Sequence, residues 1–136
     1  FIRFDRGDEV CHMHKIAISS YIENDIDHCA FEVLDFDAVA FGHRFLKQET
    51  NWRSIWGVGR HWLASAIFDY WNDSDGFMHE HFADEDVYDA SHSTHYSIVA
   101  KSNLYQWGPT PPDFVKPSLK MLFKMIKAVF GDNEIT

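Results

Sequence analysis

The apolar and polar positions along this chain change period several times, and each change marks an element. Met13-His14-Lys15-Ile16-Ala17-Ile18 alternates with the two-residue repeat of a half-buried strand. Cys29-Ala30-Phe31-Glu32-Val33-Leu34 is a second strand-type run, entered through the polar turn Glu23-Asn24-Asp25-Ile26-Asp27. Asp35 predicts a helix N-cap, because its carboxylate can accept from the free amides of a first turn. The helix is expected over about 36–48, with Phe36, Val39, Ala40, Phe41 and Phe45 among its apolar residues. Trp52 to Ile55 predicts a short strand, closed by a turn at Gly57-Val58-Gly59-Arg60. A strand from about Leu63 to Trp71 then leads into Asn72-Asp73-Ser74-Asp75-Gly76, a hairpin signal, and Phe77 to Phe82 is the return strand.

In order, residues 27–84 are therefore strand, helix and three strands, one βαβββ unit of an α+β protein. Past Asp84 the sequence turns polar, and Gly108-Pro109-Thr110-Pro111-Pro112 excludes a helix or a central strand. Residues 117–130 predict a last amphipathic helix, with Leu119, Leu122, Phe123, Ile126, Val129 and Phe130 on one side. Lys120, Lys124 and Lys127 fall on or near the other side, so docking on the domain or on a partner subunit is expected rather than membrane activity.

Composition narrows the function classes. A chain of 136 residues with 46% hydrophobic and 16% aromatic content is one domain able to bury a core. Twelve Lys and Arg against twenty-one Asp and Glu give a net charge of −9, which argues against nucleic acid or an anionic membrane as partner. The acidity sits in the middle: residues 51–100 hold eight acids against Arg53 and Arg60. No apolar run approaches the roughly 18 residues of a membrane span, and no signal peptide is visible. Two cysteines, Cys11 and Cys29, are too few for a disulfide scaffold, so a reducing cytoplasm is expected.

Nine histidines direct attention to metal or proton chemistry. His43, His92 and His95 read as exposed or as satisfied by a hydrogen bond. His28 and Glu80 differ, because each falls on a strand of one unit and both can point into one concave face. With another His they would make the two-His-one-carboxylate set that holds non-haem Fe(II) and leaves positions open. The bland alternatives stay open at this point: Glu80 as a solvated strand residue, and Trp56, Trp62, Phe68, Tyr70, Trp71, Phe77 and Phe82 as core rather than as a pocket for a flat substrate.

His61, then Tyr70 nine residues on, Asp73, Gly76 and Glu80 resemble the signature of the type I extradiol ring-cleavage dioxygenases, catechol 2,3-dioxygenase-like enzymes of the vicinal oxygen chelate superfamily. Gly59-Arg60-His61, Ile67-Phe68-Asp69-Tyr70-Trp71, Glu80-His81-Phe82-Ala83-Asp84-Glu85-Asp86, Asp27-His28-Cys29-Ala30-Phe31-Glu32-Val33 and Trp107-Gly108-Pro109 look like this family too, so the resemblance covers about residues 10–112. Ser74 departs from it, standing where the family usually has Pro. The resemblance implies the vicinal oxygen chelate fold (glyoxalase/bleomycin-resistance/dioxygenase), with His28 and Glu80 as two of three Fe(II) ligands and Mn(II) as the alternative metal. His14 would be the acid–base histidine, with His12 the competing choice. His61 and Tyr70 would hydrogen-bond the substrate oxygens or the bound oxygen species. The partners implied are a small aromatic diol and O₂, and the product a ring-opened muconic semialdehyde or related keto acid.

The family pairs two βαβββ units per metal site, which sets three expectations. Residues 1–26 would be end strands of a truncated first module, 27–90 a complete module, and 91–136 a C-terminal extension. The first module's His ligand has no match here, and His12 or His81 is a remote substitute. Phe1 would be a cut or gap inside a larger enzyme, and the 136-residue piece itself inactive. An exposed βαβββ edge and the last helix make a homo-oligomer the expected state. A second reading is a non-catalytic module of the same superfamily, binding a small aromatic or serving assembly. A glyoxalase-like lyase or isomerase ranks third, since it would need more carboxylate ligands.

Overall fold

The computed structural model of the chain describes residues 11–12, 27–93 and 104–112. Its elements are β1 (Cys11–His12), β2 (His28–Glu32), α1 (Phe36–Leu46), β3 (Arg53–Arg60), β4 (Ile67–Asn72), β5 (Met78–Ala83) and β6 (Val87–Tyr88). Four strands form one mixed sheet in the order β2-β5-β4-β3, with β2 parallel to β5 and the other pairs antiparallel. This strand, helix and three-strand order is the α+β arrangement that the hydrophobic pattern predicts. The expected strand over Met13–Ile18 and helix over 117–130 lie outside the described residues.

Helix α1 begins where its cap dictates. Asp35 is extended, at φ −165°, and its Oδ1 accepts from Ala38 N at 2.8 Å. One face of α1 packs on the sheet through Val39, which is fully buried against Ile67 and Ala83. Phe41 and Phe45 remain exposed. On the opposite face of the sheet Trp56, Phe68 and Tyr70 form a second buried cluster. Among the described residues no helix is long and apolar enough to cross a membrane.

Three local expectations are corrected. Gly57 to Arg60 is not a turn: β3 runs straight through it, with register shifts at Trp56 and Gly59 that absorb the irregularity. The glycine at 59 is required by crowding, since a Cβ there would lie 2.5 Å from Phe68 Cζ and 2.8 Å from Trp107 O. Next, β4 starts at Ile67 and not near Leu63. Ala64 and Ser65 have φ of +64° and +56°, which no strand can accommodate, and Arg60 Nη1 holds this loop by donating to Ser65 O at 2.5 Å. Finally, the polar stretch after Asp84 contains β6, a short strand pairing antiparallel with β1.

The hairpin forms as predicted. Asp73 Oδ1 accepts from the amides of Asp75 and Phe77 at 3.0 and 2.9 Å, and Gly76 supplies the φ of +89°.

Candidate metal centre

Strand register puts the predicted residues on one face. In β2 and β5 His28 pairs with Met78 and Ala30 with Glu80, so His28 and Glu80 are two positions apart on the same side. Tyr70 lies directly across from Glu80 on β4, and Trp56 across from Tyr70 on β3. His61 follows the last residue of β3. Four separate sequence segments thus converge on one row of the sheet.

The contacts within the row are short. His28 Nε2 is 3.2 Å from Glu80 Oε2, and His61 Nε2 is 3.4 Å from Glu80 Oε1. His61 Nε2 is also 3.0 Å from the Tyr70 hydroxyl. The rings of His28 and Tyr70 meet edge to face with centroids 5.3 Å apart. Glu80 is only 2% exposed, so its charge depends on these neighbours.

Electrostatics follow from the geometry. Burial by itself would raise the Glu80 pKa, but hydrogen bonds from His28 and His61 outweigh it and lower the value from 4.5 to about 2. Burial likewise opposes a charge on His28. Its bonds to the Asp27 and Glu80 carboxylates outweigh that and raise it from 6.5 to about 9. Tyr70 is pushed well above the ordinary phenol value by burial and by the Glu80 carboxylate, so it stays protonated.

Two participants escaped the sequence reading. Asp27 Oδ2 accepts from His28 Nδ1 at 2.6 Å, which turns Nε2 toward Glu80. Its signal was plain adjacency to His28. The second is the carbonyl of Leu104, 2.8 Å from His61 Nδ1. A backbone carbonyl has no side-chain signature, so nothing in the sequence could flag it.

Not every expected residue joins the row. Trp71 alternates to the helix side, where its Nε1 donates to Asp69 Oδ2 at 2.5 Å and His43 Nδ1 lies 3.0 Å from Asp69 Oδ1. His43 is therefore hydrogen-bonded, one of the two roles expected of it. Trp62 and Phe77 are 59% and 62% exposed, so the aromatic wall reduces to Trp56, Phe68 and Tyr70, with Phe82 on the same face. His81 faces α1, its Nδ1 lying 3.6 Å from where a Cβ on Gly42 would sit, and so points away from Glu80. His12 lies on β1, paired with Val87. His14 lies outside the described residues.

His28 Nε2 and the Glu80 carboxylate are converging donors of the kind a divalent cation takes. They amount to part of a site. Among the described residues no group of three or more His, Cys, Asp or Glu side chains is placed to hold a metal ion.

No family model matches the chain. It is 31% identical over 102 residues to Metapyrocatechase 2 of Cupriavidus necator, covering 74% of this chain and 32% of that protein. Among solved structures it is similar to the Mn(II)-bound glyoxalase from Novosphingobium aromaticivorans, with a TM-score of 0.57 and 26% identity over 65% of this chain and 30% of that one. A crystal structure of catechol 2,3-dioxygenase also matches, with a TM-score of 0.44 and 18% identity over 62% of this chain and 30% of that one. The chain thus spans about a third of the length of the curated relative it matches. The chain is therefore similar in sequence to Metapyrocatechase 2 over 102 residues and shares the fold of the glyoxalase neighbour over the part they have in common.

Proposed function

We propose that this chain is part of an extradiol dioxygenase, in which a catecholic ring is opened by O₂ at a divalent metal. The observation that carries the reading is the convergence of His28, Glu80, His61 and Tyr70 on one row of the sheet. His28 Nε2 and the Glu80 carboxylate would hold the metal, Fe(II) or, as in the glyoxalase neighbour, Mn(II). The bound metal would supply Lewis acidity that eases loss of the diol protons and brings diol and O₂ together. The third ligand, a His of a first module, would come from outside residues 1–136. Residues 1–26, 27–90 and 91–136 then divide as remnant, complete module and extension.

The chain's own residues have separable tasks. Asp27 holds His28 so that Nε2 is the atom presented to the site. Tyr70 and His61 stand beside the Glu80 carboxylate, where they would hydrogen-bond the substrate oxygens. Trp56, Phe68 and Tyr70 pack as a cluster of rings beside the site. His14 is assigned the proton transfer, taking a diol proton and returning it to the ring-opened product. Both atoms of O₂ enter that product while one ring carbon–carbon bond breaks, so no further reductant is consumed.

The test is anaerobic loading of the full-length protein with Fe(II), followed by a catechol and O₂. Yellow ring-fission product and O₂ uptake are expected. Protein with confirmed metal that gives neither would overturn the reading. Glu80→Ala is expected to abolish metal retention, while His14→Ala keeps the metal and turns over more slowly.

A second reading has one observation behind it. The described residues hold only two converging metal donors, which suits a non-catalytic module that binds a small aromatic. Metal-independent binding of a catechol by the full-length protein, without O₂ uptake, would favour it.

A further inference from the structure

Helix α1 carries an apolar stripe on the side that does not face the sheet. Val39 and Leu46 are its buried residues. Phe41 and Phe45 lie on the other side of the helix and are 68% and 53% exposed. Leu34, just before the Asp35 cap, is 90% exposed. Leu34, Ala38, Phe41 and Phe45 recur at intervals of four, three and four, the spacing of a seam between two helices. Asp37 and Arg44 are both exposed and stand seven residues apart, so they line one flank of that seam. Neither is in an ion pair with another described residue.

Opposite charges at equivalent flank positions, two turns apart, complement each other across a two-fold axis that sets two copies of α1 antiparallel. Asp37 of each copy then meets Arg44 of the other. Along the seam Phe41 packs over the small Ala38 and Phe45 over Leu34, so a ring faces a shorter side chain in every layer. A parallel pair would instead set Asp37 beside Gly42 and leave its charge without a partner. We propose that the outer face of α1 is a self-docking surface, occupied by α1 of a second copy of this chain in an antiparallel pair. The seam of about three turns is smaller than a standard interface of about 800 Å² per partner, so the association is concentration-dependent. It lies across the sheet from Glu80 and does not rest on the ring-cleavage reading.

The test is sedimentation equilibrium of the full-length, metal-free protein over a concentration series. Phe41→Ser should weaken self-association by roughly 100-fold or more, the loss expected of an aromatic anchor used twice in one dimer. Asp37→Arg alone and Arg44→Glu alone should each weaken it by roughly ten-fold, because two attractive pairs per dimer become two repulsive ones. The double variant Asp37→Arg/Arg44→Glu should associate as wild type does. Mixing the two single variants should also restore association, since every pair in the mixed dimer again joins opposite charges. All three positions are exposed, and unchanged urea midpoints confirm that the variants fold.

Single charge variants that associate as tightly as wild type would overturn the proposal. A mixture no tighter than its two components would do the same. So would a wild type that stays monomeric; a lowered urea midpoint in Phe41→Ser would then assign the face to another segment of the same polypeptide. Each readout is made without metal or catechol, so failure of the full-length protein to cleave a catechol leaves this inference standing.

Discussion

His28 and Glu80 stand with Nε2 and Oε2 3.2 Å apart although they belong to different strands and lie on opposite sides of α1 in the sequence. The parallel pairing of β2 with β5 causes this, because it aligns Ala30 with Glu80 and leaves His28 one pleat away on the same face. A one-residue slip between these strands would turn one of the pair to the helix side.

Asp27→Ala is expected to weaken metal binding of the full-length protein by roughly 10–100-fold, the usual effect of removing a carboxylate behind a ligating histidine. Calorimetric titration with Mn(II) checks it. Asp27→Asn, which keeps an acceptor for Nδ1, should recover most of the loss. Unchanged affinity in Asp27→Ala would show that His28 needs no such support.

The metal-free chain should lose stability on both sides of neutrality. The His28 pKa is raised on folding, so its contribution is full below about pH 6.5 and disappears as pH rises through about 9. The Glu80 pKa is depressed, so its contribution is full above about pH 4.5 and disappears as pH falls through about 2. Urea midpoints measured from about pH 2 to about pH 10 should trace this plateau. Glu80→Gln should make the alkaline limb shallower without abolishing it, because one of the two carboxylates that hold the His28 proton is gone and Asp27 remains.

Asp69→Ala should destabilise the chain by about 2–3 kcal/mol. Asp69 is fully buried beneath α1 and accepts from the Trp71 indole, while His43 lies within hydrogen-bond distance of its other oxygen. Truncation leaves a buried N–H without its acceptor, which is costlier than losing the bond itself. Asp69→Asn, which can still accept through its carbonyl, should lose less. Denaturant unfolding monitored by Trp fluorescence reads both variants.

Asp35→Ala should cost about 1 kcal/mol, because the Ala38 amide loses its side-chain acceptor. Asp35→Ser should restore most of it. Equal stability of wild type and Asp35→Ala in urea would mean that tertiary packing of Val39 alone sets the start of α1.

Local elements were legible in the sequence where one physical rule dominates. Asp35 marked the helix start because a carboxylate at an N-cap has a direct partner. Asp73 to Gly76 marked the hairpin because an Asx turn and a positive φ leave few residue choices. The β3 boundary was misread at Gly57–Arg60 because glycine signals both a turn and a close approach. Only the Phe68 ring and the Trp107 carbonyl, distant in sequence, show that close approach governs here.

The site divides the same way. His28 and Glu80 could be placed on one face from their strands, His61 and Tyr70 were singled out by the resemblance to the extradiol dioxygenase signature, and alternation along β4 and β5 set which neighbours share a face. The sequence by itself therefore determined most of the elements and the βαβββ order, since these depend on local propensity and period, and its resemblance to a known family supplied the candidate chemistry. Tertiary structure alone decided that β2 lies beside β5, that Trp71 and His81 turn toward α1, and that Leu104 reaches His61. The reason is physical: register and backbone contacts between distant segments are fixed by packing and hydrogen bonding across the whole sheet, and no local residue pattern encodes them.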